Sequence, residues 1–192
     1  GYMVLGLALF TPLAITGAVF YLLHHMIVKA NLFLISGVSR SAGGSFELSR
    51  IGGIYRHRGF LAVLFFVPAF SLAGFPPLSG FWAKMVLIRA SLEVQAYVVA
   101  GAAAVVGLLT VYSMTKIWGE AFWKPEPGSE PPEPGSAASA GGEFWLFLPI
   151  TVLAIITLVI GLVPGPFLAL AGQAAHELLN PDIYVKAVLG GV

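Results

Sequence analysis

Four long stretches of this chain contain no Asp, Glu, Lys or Arg: residues 1–28, 59–83, 94–115 and 144–176. Each is longer than the roughly 20 residues a helix needs to cross a bilayer. A helix on the surface of a soluble protein would instead show charges on its wet face at almost every turn. The remaining charges gather mainly at 40–58 and 116–143. Composition agrees: 58% of side chains are apolar and 10% charged, against roughly 25% charged in soluble domains. The fold class this predicts is all-α, a polytopic transmembrane helix bundle. The chain has no cysteine, which excludes disulfide scaffolds, thiolate metal sites and cysteine nucleophiles. A net charge of +1 argues against a nucleic-acid partner.

Residues 1–10 read as the tail of a helix, and Thr11-Pro12 as a turn or helix start. Gly1 is not an initiator Met and no basic segment precedes the apolar run, so a signal peptide is not indicated. A fragment of a longer polytopic protein is expected. A first complete span covers about 14–38. Polar, Gly-rich and basic sequence follows over 39–59, with Arg40, Arg50, Arg56 and Arg58 against Glu47 alone. The excess of arginine places this loop in the cytoplasm, and alternation then puts 119–143 in the cytoplasm and the C-terminus outside.

The apolar stretch 60–92 would be about 50 Å long as one helix, against a hydrocarbon core of about 30 Å. Gly74-Phe75-Pro76-Pro77-Leu78-Ser79-Gly80 interrupts it. Two prolines remove two N–H donors and disfavour helix before them, so one proline-broken helix is predicted here. A further span covers about 97–118. The Pro/Gly/Ser/Glu-rich segment 124–143 has the composition of a disordered loop. The last span, about 144–163, is stopped by Pro164-Gly165-Pro166, and the tail to 192 suits a short interfacial helix and an extended end. The chain thus divides into a bundle over 1–123, the loop 124–143, and a last span with its tail over 144–192.

Ionisable groups inside spans are the informative residues, because a charge near the bilayer centre is costly. Lys29 sits deep in the first complete span. His25 lies one turn before it and Tyr21 one turn before that, so the three share a helix face. An imidazole and an amine about 6 Å apart can exchange a proton through a water. The alternative is a snorkelling Lys29 and a His25 bonded to a backbone carbonyl; the apolar-rich stretch between Lys29 and Arg40 weighs against it. His24 points about 100° away and is a secondary relay candidate. Lys84 follows the proline break by four residues. Irregular backbone at membrane depth is tolerated where it is buried in protein or lines a wet cavity, and broken helices recur at ion sites. A membrane-edge lysine after a simple loop remains the alternative. Lys116 ends a polar strip, Thr110 to Thr115, and reads as an anchor beside Trp118 and Trp123, with a relay role secondary. Arg89 and Glu93 read as a terminal pair. His176 and Glu177 are too isolated for a metal site, and no hydrolase or phosphate-loop motif occurs; no cofactor is indicated.

His25-Met26-Ile27-Val28-Lys29-Ala30-Asn31-Leu32-Phe33-Leu34 resembles the H-x-x-x-K-x-x-L-F-L helix of the antiporter-like subunits shared by respiratory complex I and the Mrp multisubunit Na+/H+ antiporters. Leu72-Ala73-Gly74-Phe75-Pro76-Pro77-Leu78-Ser79-Gly80-Phe81-Trp82-Ala83-Lys84 resembles their second broken helix, whose proline segment is followed by a buried Lys or Glu. The likeness covers about 1–123. Within the family, residues 76–84 and Thr115-Lys116-Ile117-Trp118-Gly119-Glu120-Ala121-Phe122-Trp123 look most like the Mrp D-type subunits. The short stretch after Val163, at most about 44 Å of helix, argues against the long lateral arm of the largest complex I subunits.

The resemblance implies fourteen helices in two inverted five-helix repeats, of which this chain would supply the end of the tenth and the eleventh to fourteenth. The family's Glu–Lys pair and first broken helix would lie upstream. Lys29 would then receive protons, with His25 as neighbour, and Lys84 would be the terminal site. Tyr21 stands where some relatives have a second relay histidine. The implied protein is an ion-transporter subunit, not itself an enzyme, in the bacterial cytoplasmic (inner) membrane. Its implied partners are other Mrp subunits, H+, Na+ and the lipid bilayer. A proton-pumping complex I subunit and a scaffold subunit with no ion path are the rival readings.

Overall fold

The computed structural model describes residues 1–125, 140–182, 185 and 188. Helices make up the architecture: α1 (Tyr2–Leu9), α2 (Pro12–Gly43), α3 (Ile54–His57), α4 (Gly59–Ala73), α5 (Ser79–Glu93), α6 (Tyr97–Trp118), α7 (Ala140–Leu162) and α8 (Pro164–Leu179). No strand occurs among the described residues. Among the described residues, three segments are long and apolar enough to cross a membrane: Pro12–Ser41, Tyr97–Trp123 and Trp145–Leu162. The half-helices α4 and α5, 15 residues each, take the place of a further one, at about 22 Å apiece.

The helix boundaries follow local chemistry. α1 closes at Phe10 in the left-handed region (φ 49). The Thr11 hydroxyl then accepts the Ala14 N–H at 3.2 Å, and Pro12 opens α2 at the position where a missing N–H matters least. α2 runs to Gly43, beyond the span expected to end near 38. Its last turn holds Arg40, which favours the negative end of the helix dipole. α6 continues into a π-helical turn over Gly119–Trp123. The last span gives way at Val163, and Pro164 is the first residue of α8. The α7 backbone is helical from Ala140, within the segment 124–143 expected as a loop. The disorder expected over 124–143 and the extended end expected for the tail fall largely outside the described residues.

At the end carrying the basic loop, the chain is tied down by backbone contacts. The Gly53 N–H donates to the Lys124 carbonyl at 2.6 Å, and a Cβ on Gly52 would meet the same carbonyl. Arg50 and Glu47 pair across the loop at 2.7 Å.

The described residues form two apolar clusters with a polar layer between them. One cluster joins Ile35 and Val38 of α2, Leu61, Phe65 and Ala69 of α4, and Ile150 and Ala154 of α7. The other joins Tyr2 of α1, Phe20 and Tyr21 of α2, Ala83 and Leu87 of α5, Ala103 of α6 and Ile160 of α7. Most of the buried polar residues fall between or beside the two sets: His24 and Asn31 on α2, Ser71 on α4, Ser79 and Lys84 on α5, Thr157 on α7. Lipid supplies no hydrophobic drive between helices, so close packing at small residues has to hold the bundle. Gly6 of α1 provides it against Ala14 and Ala18 of α2.

Candidate functional site

The break between α4 and α5 is the centre of the polar layer. A helix end leaves four carbonyls without intrahelical partners. Here all four are satisfied. Gly74, at φ 92, turns its N–H back to Phe70 and Ser71, and the Phe75 N–H also reaches the Phe70 carbonyl, each at 3.0 Å. The remaining two, Leu72 and Ala73, accept from the Lys84 ammonium at 2.9 Å each. Glycine is required at 74 twice over: for the left-handed turn, and because a Cβ would sit 2.9 Å from Lys84 Cδ. Lys84 is 6% exposed, which settles its position inside the bundle. Its Nζ lies 5.3 Å from the centre of the Tyr2 ring, and the Tyr2 hydroxyl donates to the Ala103 carbonyl.

The other side of the break is held by hydroxyls. Pro76 and Pro77 are joined by a cis peptide bond, and α5 restarts at Ser79. The Gly80 N–H donates to Ser71 Oγ at 3.3 Å. Ser71 Oγ and Ser79 Oγ are 2.9 Å apart, and Ser79 Oγ is 2.8 Å from His24 Nδ1. Gly80 leaves no room for a side chain: a Cβ would collide with the Ser71 carbonyl and lie 2.9 Å from His24 Nε2. From α7, Gly161 rests on the break, where a Cβ would meet the Pro77 carbonyl at 2.6 Å and the Ser79 nitrogen at 2.7 Å. The Trp82 indole N–H donates to the Gly161 carbonyl at 2.9 Å.

Tyr21 joins the break to the rest of α2. Its ring stacks on Tyr2 at 5.0 Å and on His25 at 5.7 Å, and meets His24 edge-on at 5.7 Å. His25 is half-buried, and Lys29, one turn further on, is exposed. Lys29 borders a cavity of about 330 Å³ shared with Ser36, Ser39, Arg40 and Phe46. Lys116 is exposed in the last turn of α6, about 13 Å of helix beyond Gly107, the α6 residue beside Lys84.

The structure therefore brings Lys84, Tyr21, His24 and His25 around one centre and turns His24, rather than His25, inward. Spacing alone could not rank two adjacent histidines, because it gives their relative angle and not which face of α2 packs. Sequence reasoning missed Tyr2, Asn31, Ser71, Ser79 and Gly161. The serines carried a usable signal, as polar residues flanking a proline break in an apolar run. Gly161 carried none. Among the described residues, no group of three His, Asp or Glu could hold a metal ion.

Comparison with known proteins bears on what this centre is. Residues 1–110 match the family model described as NADH:quinone oxidoreductase/Mrp antiporter, TM. The D-type subunit of a Na(+)/H(+) antiporter from Alkalihalophilus pseudofirmus is 42% identical over 98% of this chain and 37% of its own length. This chain thus spans little more than a third of that relative. The structure of the Mrp complex from Dietzia sp. DQ12-45-1b contains a chain that superposes with a TM-score of 0.85 at 35% identity, over 98% of this chain and 42% of that one. Respiratory complex I from Thermus thermophilus contains one with a TM-score of 0.63 at 26% identity, over 88% and 36%. With its charge-free spans, its proline-broken helix and its buried lysine, the chain is a multi-pass membrane protein and belongs to the NADH:quinone oxidoreductase/Mrp antiporter family.

Proposed function

We propose that this chain is the proton-relaying part of a D-type subunit in an Mrp monovalent cation/proton antiporter of the bacterial inner membrane, working with other Mrp subunits. The observation that carries the reading is Lys84, a buried lysine bonded to both terminal carbonyls of a broken helix. An ammonium has three donors, and two are used here. The negative end of the α4 dipole and the face of Tyr2 stabilise its charge. Losing a proton removes both attractions at once, so the protonation of Lys84 and the closure of the break are coupled.

Tyr21 and His25 lead from this centre along α2 to Lys29, which faces the cavity near the basic loop. Protons would pass between Lys29 and Lys84 through these groups and intervening water. Charge coupling between the lysines, with no bond chemistry, would drive exchange against Na+. The test is Lys29→Ala and Lys84→Ala in the full-length subunit within its complex, assayed for proton exchange in everted membrane vesicles. Both are expected to abolish antiport with assembly intact; normal exchange in either sinks the relay.

The likeness to a complex I chain supports one rival, a proton-pumping subunit of a quinone reductase. Co-purification with a redox arm and quinone-dependent NADH oxidation would favour it.

A further inference from the structure

Asn31 lies in the polar layer on the face of α2 turned into the bundle. It follows His24 by seven residues and precedes Ile35 by four, spacings that keep all three on one side of the helix with Val28 between. His24, Val28, Asn31 and Ile35 are each at most 2% exposed. Neither amide atom of Asn31 has a hydrogen-bonding partner in the protein, and neither has His24 Nε2. Burying an amide without hydrogen bonds is strongly unfavourable, and buried polar groups are accordingly paired with protein or ordered water. Asn31 is completely enclosed, so lipid or a partner subunit cannot reach it. Its partner has to be small enough to sit inside the bundle.

We infer that the inner face of α2 carries an internal hydration site running from the Asn31 amide to His24 Nε2, which gives the polar layer a second branch apart from Tyr21, His25 and Lys29. The rise of the helix separates the two residues by about 10 Å, a distance bridged by two or three waters at ordinary hydrogen-bond lengths. The other ring nitrogen of His24 is already engaged. Nδ1 lies 2.8 Å from Ser79 Oγ, which is 2.9 Å from Ser71 Oγ, and Ser71 Oγ accepts the Gly80 N–H. The site itself stands on Asn31 and His24; its part in proton movement rests on the relay proposed above.

The test uses the full-length subunit in its complex. Radiolytic hydroxyl labelling read by mass spectrometry reports bound internal water. Val28 and His24 are expected to label well above Leu61 and Ile150, which are equally buried, and this excess should vanish in Asn31→Leu. Labelling of Val28 and His24 no stronger than of Leu61 overturns the hydration site, and needs no variant. Proton exchange is expected to fall at least about tenfold in Asn31→Leu and to stay within about threefold of wild type in Asn31→Ser, which keeps a hydroxyl and leaves space for water. Wild-type exchange in Asn31→Leu overturns the second branch, and equal losses in both variants reduce Asn31 to a packing residue. If Lys84→Ala exchanges normally, the relay falls while the labelling still decides the site.

Discussion

Lys84 Nζ donates to the Ala73 carbonyl at 2.9 Å, across eleven residues and a double-proline turn. This bond and its twin to Leu72 close the end of α4 with a side chain where a continuing helix would have used backbone N–H groups. The ammonium is therefore a structural cap as well as an ionisable group, and the two roles can be separated by substitution.

Lys84→Arg keeps a fixed positive charge and several donors but does not release its proton in a protein. Exchange should be lost while thermal stability stays close to wild type. Lys84→Met keeps length and removes the donors, leaving two carbonyls unpaired; it should lose exchange and also about 1–3 kcal/mol of stability. A thermal-shift series on the purified complex, read beside vesicle exchange, tells them apart. Equal stability in Arg and Met variants would show that the carbonyl contacts contribute nothing.

Glycine-to-alanine changes offer a steric test. A Cβ on Gly80 collides with the Ser71 carbonyl, and one on Gly161 meets the Pro77 carbonyl at 2.6 Å; Gly101 has nothing within 4 Å. The first two Gly→Ala variants should each destabilise by about 1–3 kcal/mol. Gly101→Ala should be neutral or slightly stabilising, since alanine is the better helix former. Melting temperatures check the ordering, and a Gly161→Ala variant as stable as Gly101→Ala would contradict the docking of α7 on the break.

The two histidines should differ in kind. His24 is buried and bonded to Ser79, whereas His25 is half-buried and stacked on Tyr21. His24→Ala is expected to destabilise by about 2–4 kcal/mol through a cavity and a lost hydrogen bond. His25→Ala should cost under about 1 kcal/mol. Chemical-denaturation midpoints of the two variants decide it, and the reverse order would mean that α2 is rotated from the arrangement described.

The exposed pair Arg89–Glu93, 3.0 Å apart with both side chains more than half exposed, serves as a control. Arg89→Gln should change stability by less than about 0.5 kcal/mol and leave exchange untouched. A larger loss in the same melting and exchange assays would show that this end of α5 has a role beyond the surface.

The spans and the break were legible because lipid imposes simple rules on sequence. Charge is excluded over about 20 residues, and Pro76-Pro77 cannot continue a helix. Lys84 was legible for the same reason: it stands in a stretch where hydrophobicity predicts no charge. The rotation of α2 was not. Both sides of that helix are largely apolar, so pattern alone cannot choose between His24 and His25; packing against α1, α4, α5, α7 and α8 decides. Nor was Gly161 legible. It lies some eighty residues from the break, and only the tertiary arrangement shows that its missing side chain makes the space Leu78 occupies. Asn31 sat in plain view in the α2 motif, but its burial without a protein partner is a property of the packed bundle.

The seating of Gly161 on the proline turn also sets an order of assembly. A ribosome delivers the break to the membrane long before it delivers α7, so the newly inserted half-helices must wait with one flank uncovered. During that interval the lysine cap and the serine contacts have to keep the polar turn from meeting lipid. Chains cut short before Ile160 would stay in that waiting state, and membrane quality-control proteases should recognise them.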